Sequence, residues 1–161
     1  PLSILIVDDD QFCQFALCNM VSEWKCDKIM SASNTKETLQ AIKDNSDINV
    51  IFVDEFLGEH NILGFKLIEK IRNKGFRGVI VGCSGNIDRV YGRISEISDN
   101  KVAKQHLTSG ADFVIGKSGQ LFDNAPQIYK YIQERILDTD NCPKKHVVLY
   151  VGDNKSKYFE C

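Results

Sequence analysis

Sulfur ligation of a metal finds no support in this sequence. Its six cysteines (Cys13, Cys18, Cys26, Cys83, Cys142 and Cys161) include no Cys-x-x-Cys pair, and no histidines stand at zinc-finger spacing. Cys13, Cys18 and Cys83 fall inside apolar patterns and read as small core residues, whereas Cys142 and Cys161 read as exposed thiols near the C-terminus. No apolar stretch approaches the roughly 20 residues of a membrane span. The N-terminus also lacks a charged stretch leading into an apolar core and a cleavage site. Charge of one sign is missing too: the net charge is −2 and neither half carries a long basic run, so direct contact with nucleic acid or an anionic membrane is not expected. Low-complexity segments and sequence repeats are absent. What is present, 43% hydrophobic and 26% charged residues in a chain of 161, suits one compact, cytoplasmic domain with a sizeable core.

Strand and helix signals alternate five times, the pattern of a doubly wound parallel sheet with helices on both faces. Apolar runs at 4–7, 50–53 and 79–83 predict buried strands, with a weaker strand at 28–31 and a short one at 113–115. Phe12, Phe15, Ala16, Leu17, Met20, Val21 and Trp24 recur at helical spacing behind Asp10, a suitable N-cap, and the three aromatics among them are assigned to core packing. Asn34 and Glu37 form the sequence of a capping box before the second helix. The third helix carries Phe65, Leu67, Ile68 and Ile71 and should stop near Gly75. A fourth should end near Ser109 and Gly110, and the last, at 123–137, presents Ile128, Ile132 and Ile136 on one stripe.

The strand ends carry the chemistry. The first run ends in Asp8, Asp9 and Asp10, the third in Asp54, the fourth in Ser84 and the fifth in Gly116 and Lys117. In an open parallel sheet, ligands bind beyond the carboxyl ends of the strands, where the strand order reverses. Several carboxylates held close together repel one another unless a divalent cation or a cationic side chain neutralises them, which points to Mg²⁺ and phosphate chemistry. An acidic cluster, a carboxylate nucleophile, a hydroxyl and a lysine together make a phosphoryl-acceptor site.

Taken in order, Ile-Val-Asp-Asp closing strand one, Val-Asp closing strand three, Ser84 and Lys117 resemble the receiver domain of two-component response regulators, over about residues 3–137. The resemblance implies a flavodoxin-like sandwich and a role for each of these residues. Asp54 would be the phosphoacceptor, taking the phosphoryl group from the phosphohistidine of a histidine kinase or histidine phosphotransfer protein, or from a small phosphodonor. Asp9, Asp54 and the backbone carbonyl of Phe56 would ligate Mg²⁺, with Asp8 bonding through a metal-bound water. Lys117 would pair with a phosphoryl oxygen and Ser84 would swing inward to hydrogen-bond the group, switching binding to a downstream effector. Such a protein catalyses its own aspartyl phosphorylation and turns over no external metabolite.

Several positions depart from the family pattern. The loop after Asp54 is long and lacks proline, Ser118 follows Lys117 where the family has a proline, and Val114 stands at the aromatic switch position with Phe113 facing the other side of the strand. These departures favour the alternative of a degenerate receiver acting as a phosphorylation-independent interaction module, against which Asp9, Asp54 and Lys117 stand intact. A phosphohydrolase of the haloacid-dehalogenase type is a third reading, opposed by Phe12 where its motif needs a small β-branched residue. Residues 87–100 read as an insertion, expected as a surface loop extension; Arg89, Tyr91 or Arg93 capping the pocket is the sharper alternative. His60, His106 and His146 share no spacing with the carboxylates and are expected at the surface. The resemblance places Phe56 and Asn86 beside the expected path of an attacking water, at positions that tune hydrolysis in the family, and so implies slow self-dephosphorylation. The expected domains are 1–138 for the receiver and 139–161 for a tail in which 146–151 has strand character. That tail could be an edge strand, a homodimer contact or a linker, and the chain either free-standing or a piece of a hybrid kinase.

Overall fold

The structure, a computed structural model, describes residues 1–141 except 88, 98 and 118–120. Five apolar runs become the strands β1 (Leu2–Val7), β2 (Cys26–Ala32), β3 (Val50–Asp54), β4 (Val79–Ser84) and β5 (Phe113–Gly116). Every residue of β1, β3 and β4 is buried, which is why these strands read as unbroken apolar runs and not as alternating ones. They form one parallel sheet in the order β2-β1-β3-β4-β5. The fold is therefore the doubly wound, flavodoxin-like one, and the order reverses between β1 and β3, opening a crevice at their carboxyl ends.

Helices α1 (Gln11–Ser22) and α5 (Ala125–Asn141) cover one face, burying Leu17, Met20, Val21, Ile128 and Ile132 against Ile4, Ile6, Phe52 and Phe113. Helices α2 (Thr35–Asp44), α3 (Gly64–Asn73) and α4 (Lys101–Thr108) cover the other, over Leu5, Val7, Ile51, Val53, Ile80 and Val114. Among the described residues no helix is long and apolar enough to cross a membrane. Asp10 caps α1 by accepting from Phe12 N (2.8 Å). Asn34 caps α2 by accepting from Glu37 N (2.9 Å), while the Glu37 carboxylate accepts from Ser33 N (2.8 Å) and not from the cap residue.

Three expectations are corrected. Phe12 and Phe15 are 86% and 67% exposed, not in the core. A helix turns about 100° per residue, so the buried stripe of Leu17, Met20 and Val21 leaves both rings on the opposite side; Trp24 does pack inward, stacked on Tyr129 at 5.2 Å. Cys13 and Cys18 are only half-buried, unlike Cys83, and Cys142, Cys161, His146 and the 146–151 run lie outside the described residues. The 87–100 segment is no surface extension: Ile87, Tyr91 and Ile97 are buried in the core. Tyr91 also forms an antiparallel bridge with Val114, with hydrogen bonds of 3.0 and 2.9 Å. Irregular spacing of those three apolar residues gave no period from which to read their burial, and the bridge closes the outer edge of β5.

Candidate functional site

Four of the side chains singled out at the strand ends converge. Asp8, Asp9 and Asp54 each offer a carboxylate oxygen, all within 4.8 Å of one another. Lys117 donates to Asp8 Oδ2 at 2.6 Å and lies 2.7 Å from Asp54 Oδ1, so one ammonium bridges the ends of β1 and β3. Asp8 and Asp54 are buried and Asp9 is exposed. The parallel register sets this arrangement: Val7 pairs with Val53, so the residues that follow them emerge side by side.

Local hydrogen bonds hold the carboxylates in place. Asp8 Oδ1 accepts from Asp10 N (3.0 Å), and Gln14 of α1 donates from Nε2 to Asp8 O (2.6 Å). The loop after β3 bends at Gly58, whose φ of +90° suits glycine. A Cβ built there would stand 3.6 Å from Asp9 Oδ2, so the loop folds back beside the acidic cluster. Asn61 fixes that loop, donating to Leu57 O (2.7 Å) and accepting from Thr35 N (3.0 Å).

Burial pushes the Asp8 and Asp54 carboxyls above their usual range, and the hydrogen bonds and charge of Lys117 only partly offset it. Burial pulls the Lys117 ammonium down, but its hydrogen bonds to Asp54 and Asp8 outweigh that and hold it above the ordinary lysine range. Three carboxylates thus face one lysine among the described residues, and their hard oxygen donors are of the type that suits Mg²⁺.

Ser84 lies buried at the end of β4, next to Cys83, which pairs with Asp54 across the sheet. Its Oγ accepts from Asn86 N (3.2 Å), and its carbonyl accepts from Lys117 N (3.2 Å). Phe56 occupies the loop two residues past Asp54 and is 53% exposed. His60 is exposed as expected. His106 is not: it is 0% exposed in α4, with Nε2 against Glu55 Oε2. Neither partner carried a signal in the sequence, because they are 51 residues apart and follow no shared period.

No protein of curated function matches the chain by sequence. Among solved structures, a CheY-like receiver domain protein from Methanospirillum hungatei JF-1 shares 21% identity and a TM-score of 0.65, covering 86% of this chain and 99% of that one. CheY in a CheX–CheY–BeF3–Mg²⁺ complex from Borrelia burgdorferi gives 18% and 0.63, over 84% and 90%. NtrX from Brucella abortus, solved in complex with ADP, gives 21% and 0.65 over 86% of this chain, which spans only 28% of NtrX. These likenesses concern the fold. The response regulator receiver domain family matches residues 4–123, most of the chain and all the converging residues. With Asp8, Asp9, Asp54 and Lys117 meeting at the switch point of that fold, the chain belongs to the receiver domain family of two-component response regulators.

Proposed function

We propose that this chain is a phosphoacceptor in a two-component relay, with Asp54 receiving the phosphoryl group. The observation that carries the reading is Lys117 lying between Asp8 and Asp54 at 2.6 and 2.7 Å, with Asp9 completing the acidic cluster. Asp54 attacks the phosphorus of a phosphohistidine: an O–P bond forms on its carboxylate as the P–N bond breaks, and the departing imidazole nitrogen takes a proton from solvent. Lys117 would leave Asp8 and follow the negative charge arriving on Asp54. Ser84, one residue past the partner of Asp54 in β4, would present its hydroxyl to the bound group. Asp9, Asp54 and the Phe56 carbonyl would hold Mg²⁺, with Asp8 bonding through water. The ion would supply charge neutralisation at the phosphoryl oxygens.

Exposed phenylalanines close in sequence to the site residues support a macromolecular donor, a histidine kinase or histidine phosphotransfer protein. Phe12, Phe56 and Phe122 are 86%, 53% and 54% exposed, each a few residues along the chain from a site residue, and exposed apolar side chains of this size favour protein contact over a free metabolite. Phosphorylation would then change binding to an effector. In this reading residues 1–138 are the receiver, acting in the cytoplasm, and 139–161 are a tail. Intact-protein mass spectrometry after incubation with acetyl phosphate and Mg²⁺ tests the assignment. A phosphoryl adduct is expected in wild type and absent from Asp54→Ala; its absence from both would leave the interaction module as the better reading.

A further inference from the structure

His106 fills a core position in an unusual way. The residue is 0% exposed, its Nε2 meets Glu55 Oε2, and its Nδ1 has no hydrogen-bond partner among the described residues. Buried polar atoms are seldom left unpaired, and an apolar side chain of similar volume would fill the space without that penalty. The sheet also makes room for the ring: a Cβ on Gly82 of β4 would stand 2.2 Å from Nδ1. Glycine at this strand position thus creates the slot that His106 occupies.

Glu55 is tied on three sides. Its N–H donates to Cys83 O (3.0 Å), its carbonyl accepts from Gly64 N (2.8 Å) and its carboxylate meets His106. One residue, directly after Asp54, thereby joins the end of β4, the start of α3 and the last turn of α4.

We propose that His106 is a positioning residue whose clasp on Glu55 passes the state of Asp54 to α4. The inference rests on the phosphoacceptor reading and names how that site is read out. A group arriving on Asp54, or a cation drawn to the Phe56 carbonyl, shifts the 54–56 backbone. Glu55 cannot follow alone, because its carboxylate is held by a ring locked in the Gly82 slot, so α4 moves with it or the pair breaks. Coupling of this kind is reciprocal: a partner that restrains α4 changes the affinity of the pocket by the same factor.

The test is amide NMR on the full chain, with Mg²⁺ and beryllofluoride standing in for the phosphoryl group. In wild type the amides of 101–108 are expected to shift on binding. In His106→Leu, Glu55→Ala and Gly82→Ala, which still take a phosphoryl adduct on Asp54, those shifts should fall below about half. His106→Gln, whose amide nitrogen can replace Nε2, should restore them. Should His106→Leu fail to fold, Glu55→Ala carries the test, since that side chain is 15% exposed at the surface of the clasp. A purely structural histidine would lower the melting temperature and leave the α4 response intact, which would overturn the proposal. Wild type that forms the adduct without moving α4 would overturn the clasp alone. Wild type that forms no adduct would overturn the phosphoacceptor reading and the clasp with it.

Discussion

Lys117 is the residue on which the pocket's balance turns. It is 13% exposed and faces two carboxylates that burial has already pushed above their usual range. Removing one partner of a buried charge pair strands the other, at a cost of about 3–5 kcal/mol. Lys117→Met should therefore destabilise the metal-free chain by about that much at pH 7. The sign of the pH dependence follows from the direction of the carboxyl shifts. A carboxyl whose folded-state pKa lies above its unfolded value binds more protons when folded, so stability falls as pH rises from the unfolded value through the folded one. Without Lys117 the Asp8 and Asp54 carboxyls rise further. The loss should shrink as the pH is lowered towards 4 and grow towards 7, as followed by urea unfolding across that range. A loss independent of pH would mean that the stem of the lysine, and not its charge, matters.

Tyr91 shows how an element can hide in a sequence. The segment from Ile87 to Ile97 buries Ile87, Tyr91 and Ile97, and Tyr91 bridges to Val114 of β5, making a strap over the sheet edge. Truncating a buried aromatic costs about 3–5 kcal/mol, so Tyr91→Ala should lower unfolding stability in urea by about 3 kcal/mol, whereas a surface loop residue would change it by less than about 0.5 kcal/mol. The strands, caps and strand-end residues were legible because each rests on local spacing: apolar runs of strand length, Asp10 and Asn34 before helices, carboxylates closing β1 and β3. The strap was not, since its burial depends on meeting β5 and α4. Nor was the outward face of Phe12 and Phe15, because a helix with apolar residues on two sides does not say which side meets the sheet. The pairing of His106 with Glu55 lies deepest of all, created by a helix and a loop that only the finished sheet brings together.

At the scale of the whole molecule, the pocket is made by folding and so should report on it. Lys117 reaches Asp8 across 109 residues of chain, and the cluster of Asp8, Asp9 and Asp54 exists only when β1 and β3 lie side by side. An ion that binds the folded state and not the unfolded chain stabilises it, by about 2.7 kcal/mol at a hundred times its Kd. Mg²⁺ should accordingly raise the melting temperature in a concentration-dependent way. Asp9 separates this effect from ordinary stability, because it is exposed whereas Asp8 and Asp54 are buried and bonded to Lys117. Asp9→Asn is expected to melt like wild type without metal and to lose most of the Mg²⁺-dependent rise, as scanning calorimetry over a Mg²⁺ series would measure. A variant that keeps the full rise would place the ion away from the acidic cluster. A wild type that shows no rise would mean that Lys117 neutralises the pocket without the ion, and phosphoryl transfer would then have to proceed on a site whose lysine is already paired with two carboxylates.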